Sequence, residues 1–527
     1  MHYPHIRWRH TGEMTRFPLI LLIAAAVAAP AYGLEADTAA VGTTVSERIA
    51  LHEEMMRSMP AQSYANPALK QWEQPYGYSS LSAGYRREAD SRAIDVQSGT
   101  GESTWGLSAD SYIKHKSSTL WGSASYRNGM LRDIRWNQSS DAALIYPYFT
   151  ADSIGGDMHT ETYSFAGGYA DHTDRWAWGA TLSYNAGLYY RNVDPRPRNT
   201  TGRLDISAGG AVRIGASDYH AGVSANFRKY KQSCDIEFVN ELSDNSIWHL
   251  TGLGTHYERF AGNGYSHYYN GHRWGATANL FPSTLRGAVA SVEFTSFSFD
   301  HILTGLNKLP LESATDNRLS ATAGWLAPGV VHDFAAMAEL SYGKRTGTEN
   351  IFGDPAGSVY PQIGALELYR HTLTEARLNM LWQWHASRQT LLAVNPGVEW
   401  DRSDETYADP RRRLLLSSVS PSVTIRGART FGSLWHVSLS ATFACAIPVD
   451  NICELPVNNS IPAGMQAVDT DRYDILSKSN SLAGVRLNLT RAVNDRYAFG
   501  LTASYSRRSY TAGIHSDLAD IAVSFIF

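Results

Sequence analysis

Residues 174–184 read DRWAWGATLSY, and residues 495–505 repeat the same form as DRYAFGLTASY. In the first stretch Trp176, Trp178 and Tyr184 fall on one side of an extended chain, and small or polar residues fall on the other. A period of two predicts β-strands whose two faces meet different surroundings. Aromatic residues stand at both ends of the apolar face, as in strands that cross a membrane between two water–lipid boundaries. These stretches therefore predict a transmembrane β-barrel.

The connections between such stretches alternate in length from residue 78 onward. Short turns are predicted at residues 115–118, 172–174, 215–218, 282–284, 327–329, 387–389, 428–432 and 492–495. Longer polar loops are predicted at residues 89–102, 129–157 (with 131–148 left in the loop), 190–202, 232–265, 300–316, 346–370, 402–411, 447–479 and 511–517. A membrane barrel sorts its connections in this way, with short turns on the periplasmic side, whereas a soluble sandwich has no reason to do so. We expect an all-β, antiparallel up-and-down barrel of about 18 strands, roughly 14–20, over residues 78–527.

The last twelve residues, SDLADIAVSFIF (516–527), form an apolar alternating stretch at the end of the sequence. An unpaired strand edge in lipid would leave backbone groups without partners. We therefore expect this strand to close the barrel against the first strand, near residues 78–88. Phe527 resembles the C-terminal recognition signal of outer-membrane barrels, which implies the barrel assembly machinery as a partner. An even strand number places both termini in the periplasm.

The N-terminal region has the layout of a secretory signal peptide. Residues 1–13 are polar and are expected to be an upstream extension, followed by Arg16, an apolar stretch over residues 17–29 and a cleavage site after Gly33. The alternative is an uncleaved membrane anchor. The expected organisation is an extension and signal over 1–33, a periplasmic or plug segment over 34–77 with a short helix at 45–58 (VSERIALHEEMMRS), and the barrel.

Composition excludes several classes of protein. The 46 Lys and Arg residues nearly balance the 50 Asp and Glu residues, so no basic field for nucleic acid is present. After residue 33 no apolar run approaches the roughly 20 residues of a membrane helix. The cysteines are Cys234, Cys445 and Cys453. A disulfide between Cys445 and Cys453 and two free thiols are both open readings, and no spacing typical of a metal site is present, so we expect neither a metal nor a cofactor.

Taken whole, the layout resembles the outer-membrane β-barrel proteins of Bacteroidota-type bacteria. It is most similar to an uncharacterised family encoded near TonB-dependent receptors, which implies such a receptor as a partner. The segment Asn66-Pro67-Ala68-Leu69 before the first strand also resembles the N-terminal Asn-Pro-Ala of barrels similar to the long-chain fatty acid transporters. That resemblance implies a plug inside the lumen, with Asn66 and Pro67 as its candidate residues. An ordinary Asn-Pro turn is the alternative.

The small and polar face of each strand is expected to point into the lumen. This rule nominates charged lumen-lining candidates on five predicted strands: Asp205, Arg213, Glu293, Glu339, Glu375, Arg377 and Arg486. They either pair across a wet lumen or form a selectivity lining, in which charges of both signs suit mixed or zwitterionic solutes. His267 and His272 form an aromatic-histidine cluster with Tyr265, Tyr268 and Tyr269, interpreted as an interfacial belt, and a loop-borne metal or haem contact is the alternative.

Three classes of function follow from these predictions. The first is a barrel for solute transport, a channel or an uptake protein whose lumen is partly closed by the N-terminal segment. The second is a non-conducting accessory partner of a TonB-dependent receptor or secretion complex. The third is an outer-membrane enzyme, but no GxSxG or HExxH spacing is present, so we expect no enzyme. Beyond the assembly machinery and such a receptor, the expected partner is outer-membrane lipid.

Overall fold

The computed structural model describes residues 44–240, 247–262, 266–357, 359–432, 434–458 and 461–527. The predicted extension and signal peptide over residues 1–33 lie outside the described residues. The strands, in chain order, are β1 Tyr78–Asp90, β2 Gly101–Lys114, β3 Ser118–Ile134, β4 Thr150–Asp152, β5 Gly156–His172, β6 Trp176–Tyr190, β7 Arg196–Arg213, β8 Tyr219–Glu237, β9 Ile247–Gly252, β10 Thr255–His256, β11 His267–Pro282, β12 Gly287–Leu303, β13 Leu309–Ala327, β14 His332–Phe352, β15 Gln362–Ser387, β16 Thr390–Tyr407, β17 Arg412–Phe431, β18 Trp435–Pro448, β19 Ile452–Glu454, β20 Asn480–Ala492, β21 Ala498–Ser509 and β22 His515–Ile526.

A closed antiparallel barrel is built from these strands. The main sheet contains 19 strands, but the three-residue β19 pairs with β17 beyond the end of β18 and continues the same column, which leaves 18 columns in the wall. β4, β9 and β10 form a separate small sheet. β1 pairs with both β2 and β22, and Ser80 faces Ile526 across the closing seam. The predicted fold, strand number and closure by the last strand are confirmed.

The two faces of the wall differ as the alternation predicts. On β6 Trp176 and Trp178 keep 58% and 54% of their surface exposed, and on β22 Val523 keeps 56%. Apolar side chains exposed all round a protein need an apolar medium, since a soluble surface does not carry so large a continuous patch. Adjacent inward positions such as Ala177 are buried. No helix among the described residues is long and apolar enough to cross a membrane.

Several strands extend further than the sequence indicated. β3 continues to Ile134, whereas the sequence placed residues from 131 onward in a loop. The loop therefore begins at residue 135. β14 continues to Phe352 and β15 begins at Gln362, which shortens the loop predicted over 346–370. Outside the bilayer a strand keeps its ladder of backbone hydrogen bonds while both faces become polar. Alternation of polarity therefore ends before the strand does.

The described residues also contain four α-helices: α1 Val45–His52, α2 Met55–Ser58, α3 Ala142–Ile145 and α4 Ala463–Leu476. The single helix predicted over 45–58 is wrong in its continuity, because Glu54 adopts an extended conformation (φ −67°, ψ 122°) and begins α2. α4 lies in the last long loop and was missed. Its buried residues Met465, Val468, Asp469 and Ile475 include a charged one, so the sequence shows no clear apolar stripe.

Of the two readings for Cys445 and Cys453, the structure has two free thiols. Cys453 pairs with Leu414 of β17, whereas the β18 register brings Cys445 opposite the region of Ser422, since Ala444 pairs with Ser422. The seven or eight intervening residues of β17 separate the two cysteines by about 23–26 Å at 3.3 Å per residue. A disulfide requires Cα atoms within about 7 Å.

Candidate functional site

The N-terminal segment, residues 44–77, lies across the end of the barrel that carries the short turns. α1 begins with a capping box, in which the Thr44 side chain accepts from the Glu47 backbone and the Glu47 carboxylate accepts from the Thr44 backbone. The apolar face of α1, Val45 and Ile49, packs on Ala492, Ala498 and Ile526, beside the closing seam. α1 therefore docks where the first and last strands meet.

The rest of the N-terminal segment is buried against the inward face of the wall. Met56, Tyr64, Ala68 and Leu69 form a core with inward-facing residues of β6 to β16, namely Ala177, Ala211, Phe281, Leu285, Val289, Leu326, Ala335, Met337, Leu381 and Ala393. These residues belong to strands on a large part of the barrel circumference. The segment therefore fills the short-turn end of the lumen instead of lining one side of it.

The turn at Asn66 and Pro67 fits because the wall has glycines opposite it. A Cβ on Gly179 would lie 2.6 Å from the Pro67 carbonyl carbon, and a Cβ on Gly209 would lie 2.0 Å from Asn66 Oδ1. Asn66 is fully buried, its Nδ2 donates to Asn279 Oδ1 at 3.2 Å, and its Oδ1 accepts from the Ala68 backbone at 3.0 Å. Both plug candidates thus lie inside the barrel, and their role as a plug stays a prediction.

Polar contacts fasten the N-terminal segment to the wall. Glu53 accepts hydrogen bonds from Arg426 of β17 and from the Ser438 hydroxyl of β18, the latter at 3.0 Å. Burial alone would raise the pKa of the Glu53 carboxyl, but the hydrogen bond from His436, the charge of Arg426 and the Ser438 hydroxyl lower it overall. Further hydrogen bonds involve residues of β2, β13 and β15, in the pairs Tyr112–Lys70, Thr322–Gln62 and Gln383–Met56. Fastening points on five strands hold the segment.

The opposite end of the barrel is covered by three pieces of the long loops, here called the loop cap: residues 135–155, residues 247–257, and residues 455–458 with 461–476. Its apolar core contains Tyr148, Phe149 and Met465, packed on inward-facing aromatics of the wall such as Phe297 and Phe299. A fully buried ion pair joins Arg191 to Asp152 at 2.6 Å. The lumen is thus covered at both ends.

Beneath the loop cap lies a buried histidine group that the sequence interpretation missed. His249 of β9 and His267 of β11 have ring centroids 6.2 Å apart, and His301 of β12 lies 5.6 Å and 5.0 Å from them. His301 Nδ1 lies 2.6 Å from a carboxylate oxygen of buried Glu312. His267 therefore belongs to this buried group, whereas His272 lies on the exposed face of β11. The two histidines predicted as one belt face opposite sides of the wall.

Between the N-terminal segment and the loop cap, the wall carries charged side chains. On β14, Met337 packs on the N-terminal segment and Arg345 donates to the cap carbonyl of Tyr146 at 2.9 Å. Eight residues separate these two contacts, about 26 Å along the strand and about 20 Å along the axis of a barrel with strands tilted by about 40°. Glu339 lies within this interval. An uncovered central zone therefore remains inside the barrel.

Five of the seven lumen-lining candidates belong to a charged belt in this zone, defined as Asp205, Arg228, Arg273, Glu293, Arg318, Glu339, Glu375, Arg377 and Glu399. These residues stand on eight consecutive columns from β7 to β16. Asp205 pairs with Arg228 at 2.5 Å. Glu375 pairs with Arg318 at 3.5 Å and with Arg377 at 3.3 Å, and Arg377 pairs with Glu399 at 2.8 Å. Acidic and basic groups are thus interspersed along the belt.

The other two lumen candidates lie elsewhere. Arg213 lies at the short turn after β7, where its Nε donates to the Ser217 carbonyl at 2.6 Å and it lies 3.6 Å from Asp218. It belongs to the rim, because the strand ends at that residue. Arg486 of β20 is exposed although it alternates with the outward-facing Val485 and Leu487. Its side chain therefore lies on the inward face of a wet lumen, outside the belt.

A cavity of about 610 Å³ lies under the loop cap and reaches the charged belt. Its arginines are paired: Arg345 with Asp316 at 2.7 Å, and Arg472 of α4 with Asp469 at 3.0 Å. Its lining on the β1–β2 side is acidic, with Glu88, Asp90, Asp95 and Glu102. Burial raises the pKa of Asp469 to about 6, an effect that Arg472 opposes and that Glu405 and Asp95 reinforce. The cavity is polar, with carboxylates on the β1–β2 side and arginines paired with the carboxylates Asp316 and Glu405 on the other.

Comparison with known proteins identifies the family. Residues 67–527 match the model of a family of unknown function (DUF6850), so the chain belongs to that family. No curated protein matches the sequence. Among solved structures, the ferric preacinetobactin receptor BauA of Acinetobacter baumannii is similar at 9% identity with a TM-score of 0.41, covering 86% of this chain and 80% of that one.

Two further solved structures are similar over most of the chain. The toluene transporter TbuX of Ralstonia pickettii has 11% identity and a TM-score of 0.28, covering 89% of this chain and 93% of that one. A bacterial polysaccharide outer membrane secretin has 10% identity and a TM-score of 0.32, covering 86% and 98%. At these TM-scores the similarities assign neither a substrate nor a partner to this chain.

Proposed function

We propose that this protein is an outer-membrane transporter for a small polar solute, closed by its N-terminal segment and opened when that segment leaves the wall. The short-turn end then faces the periplasm and the loop cap faces outward. The observation that carries the proposal is the position of residues 44–77, which fill one end of the lumen and make hydrogen bonds to strands all round the barrel. An 18-stranded barrel without such filling is wide enough for an aqueous channel.

The attachment of the segment supports a movable closure. Here Glu53, Gln62 and Met56 each make a discrete polar contact to a different strand. Such contacts exchange readily with water once the segment begins to move. The polar contacts can therefore be exchanged one at a time, and the apolar packing of Met56, Tyr64, Ala68 and Leu69 is the further free energy that undocking must overcome.

The cavity suggests the class of solute. Its volume of about 610 Å³ is in the range of small-molecule sites, roughly 300–1,000 Å³. The acidic side at Glu88 and Asp95 suits a cationic group, and Arg318, which keeps 41% exposure beside Glu375, suits an anionic group. A zwitterionic solute satisfies both sides at once. Charges of the belt then hold the path hydrated between the cavity and the N-terminal segment.

Single-channel conductance in planar bilayers tests the closure. The intact protein should show low or flickering conductance, and a variant lacking residues 45–72 should show large, steady conductance. The matched control keeps the segment but locks it to the wall. The side chains of Gln62 and Thr322 are hydrogen-bonded, so both are replaced by cysteine (Gln62→Cys and Thr322→Cys) and the two thiols are cross-linked with a short bis-maleimide. Cys445 and Cys453 are replaced by serine in this background. The locked protein should stay closed under conditions in which the unlocked one flickers.

Two outcomes would contradict the proposal. Large, steady conductance in both the intact and the truncated protein would mean that the N-terminal segment does not close the lumen, as in a general porin. Absence of conductance in both would favour the alternative function, a non-conducting partner of a TonB-dependent receptor or a secretion complex. Co-purification with such a receptor would then be the decisive measurement.

A further inference from the structure

The break between α1 and α2 places two adjacent carboxylates against different parts of the wall. Glu53 contacts Arg426 and Ser438, so a cation balances its charge. Glu54 instead lies beside Asp333 of β14 and His385 of β15. One atom from each of Glu54, Asp333 and His385 lies within 4.8 Å of the others. Arg57, on the same helix, contributes a positive charge at 3.3 Å from Glu54.

Two carboxylates this close repel each other unless a cation or a proton lies between them. Asp333 is held in place by the protein: its Oδ1 accepts from the Gly329 backbone at 2.8 Å, and its Oδ2 accepts from Gln383 Nε2 at 3.0 Å and lies at hydrogen-bond distance, 2.6 Å, from His385 Nε2. Gln383 Oε1 accepts the Met56 backbone N–H of the N-terminal segment at 3.1 Å. Supporting hydrogen bonds that orient a carboxylate in this way are typical of the surroundings of metal ligands.

The three side chains offer one imidazole nitrogen and two carboxylate oxygens, the donors preferred by Zn²⁺ and related first-row ions. Two ligands of a tetrahedral Zn²⁺, each about 2.0–2.1 Å from the metal, lie about 3.3 Å apart. His385 Nε2 and Asp333 Oδ2 are 2.6 Å apart, and the full set lies within 4.8 Å. The present spacing brackets that of a metal site. His385 retains 31% exposure, which leaves room for a water ligand.

We propose that Glu54, Asp333 and His385 form a divalent transition-metal site, with Zn²⁺ as the reference ion, which fastens the N-terminal segment to the wall. Asp333 and His385 come from two neighbouring strands, and Glu54 comes from the segment. Metal binding therefore requires the docked segment, and by mass action the bound metal stabilises the docked state. Sequence spacing did not reveal the site, because residues 54, 333 and 385 are far apart in the chain. The effect on gating rests on the proposed function, whereas the metal site itself does not.

Isothermal titration of the full-length mature protein in detergent, stripped with EDTA, tests the site with ZnCl₂. We expect one Zn²⁺ per chain and at least a tenfold weaker affinity in Glu54→Gln and in His385→Ala. Glu54→Gln lies outside the barrel wall and leaves its strands intact. His332→Ala is the matched control, since His332 is adjacent to Asp333 but stacks on Trp382, and it should bind Zn²⁺ as the wild type does. Equal binding by wild type and Glu54→Gln, or no stoichiometric binding, would overturn the proposal.

Conductance separates this proposal from the proposed function. Zn²⁺ should lengthen the closed periods of the wild type, EDTA should reverse the effect, and Glu54→Gln should abolish it. If deletion of residues 45–72 opens the channel but Zn²⁺ leaves the wild type unchanged, the metal fastening is refuted and the transporter stands. If Zn²⁺ binds through Glu54 but the deletion does not change conductance, the metal site stands and the proposed closure fails.

Discussion

Replacing Arg426 by methionine should release the N-terminal segment from β17. Arg426 donates through one guanidinium nitrogen to the Glu53 carbonyl and through another to the Glu53 carboxylate. Methionine keeps much of the apolar volume but donates neither hydrogen bond. The Glu53 carboxylate then retains the Ser438 hydroxyl, at 3.0 Å, and His436, at 3.6 Å. A charge that is mostly buried loses its balancing cation.

The magnitude follows from the type and exposure of the contact. Hydrogen bonds to charged groups contribute about 1.5–3 kcal/mol each when buried. The side chains of Arg426 and Glu53 retain 13% and 21% exposure, so water compensates part of the loss. We expect a total loss of about 2 kcal/mol of docking free energy, which raises the ratio of undocked to docked segment about 30-fold.

Single-channel recording measures this ratio as an open-to-closed ratio, and a spin label on the N-terminal segment reports it independently. Arg429→Met is the matched control, because Arg429 is on the same strand but lies over the exposed ring of Phe431, 4.9 Å from its centroid. It should leave the open-to-closed ratio unchanged. A change of less than twofold in the Arg426 variant, with the thermal unfolding of the barrel intact, would refute the reasoning.

Three further predictions concern the wall, the loop cap and assembly. Ile206→Arg should destabilise the barrel by about 2–4 kcal/mol because this side chain faces lipid, whereas Ser207→Arg, on the opposite face, should have little effect; equal losses in urea unfolding would mean that the register is wrong. Burial raises the pKa of Asp469 from 3.8 to about 6, so ionisation of its carboxyl disfavours the docked cap. Docking should therefore weaken by no more than about 3 kcal/mol as the pH rises from about 4 to about 6. Asp469→Asn should remove that pH dependence of thermal stability, and persistence of the dependence would assign it to another group. Deleting Phe527, whose backbone exchanges hydrogen bonds of 2.9 and 3.1 Å with Ser79, should slow membrane assembly more than it lowers the melting temperature; equal effects would argue against a recognition role.

The barrel could be predicted because its sequence pattern is set by the medium. Lipid requires an apolar side chain at every second position. Trp176, Trp178 and Ile206 therefore indicate which face of each strand points outward. Short turns and long loops then gave the strand number. What failed was the extent of the strands: the last residues of β3 (NGMLRDI) and of β14 (KRTGTENIF) do not alternate regularly between polar and apolar side chains. Beyond the bilayer, backbone pairing continues without any requirement on the side chains, and the sequence leaves no signal.

The candidate site was less predictable, since it depends on contacts between distant segments. The inward direction of Glu339, Glu375 and Arg377 follows from alternation. Their contacts with Arg318 and Glu399 cannot be predicted in this way, because those residues lie on neighbouring strands. The glycines opposite the Asn66 turn were a usable signal. Gly179 and Gly209 leave space on the inward face for another backbone, although only the structure shows which segment occupies it. Clusters such as Glu54, Asp333 and His385 leave no trace in local spacing.

The two closures of the lumen differ in how they are tied to the wall, and this difference decides which one can move. Each piece of the loop cap is joined to a strand at both ends, for instance residues 135–155 between β3 and β5. Within the described residues, the N-terminal segment is joined to the wall by the chain only at residue 78, and its remaining attachments are non-covalent: packing, side-chain hydrogen bonds and the backbone hydrogen bond from Val45 to the Asp495 carbonyl. Moving a piece of the cap requires strain in two connections, whereas the segment can swing about one. Because its contacts at Glu53 and Glu54 lie at the break between α1 and α2, loss of either contact frees a hinge instead of unfolding a helix. The short-turn end is therefore the end at which the barrel should open.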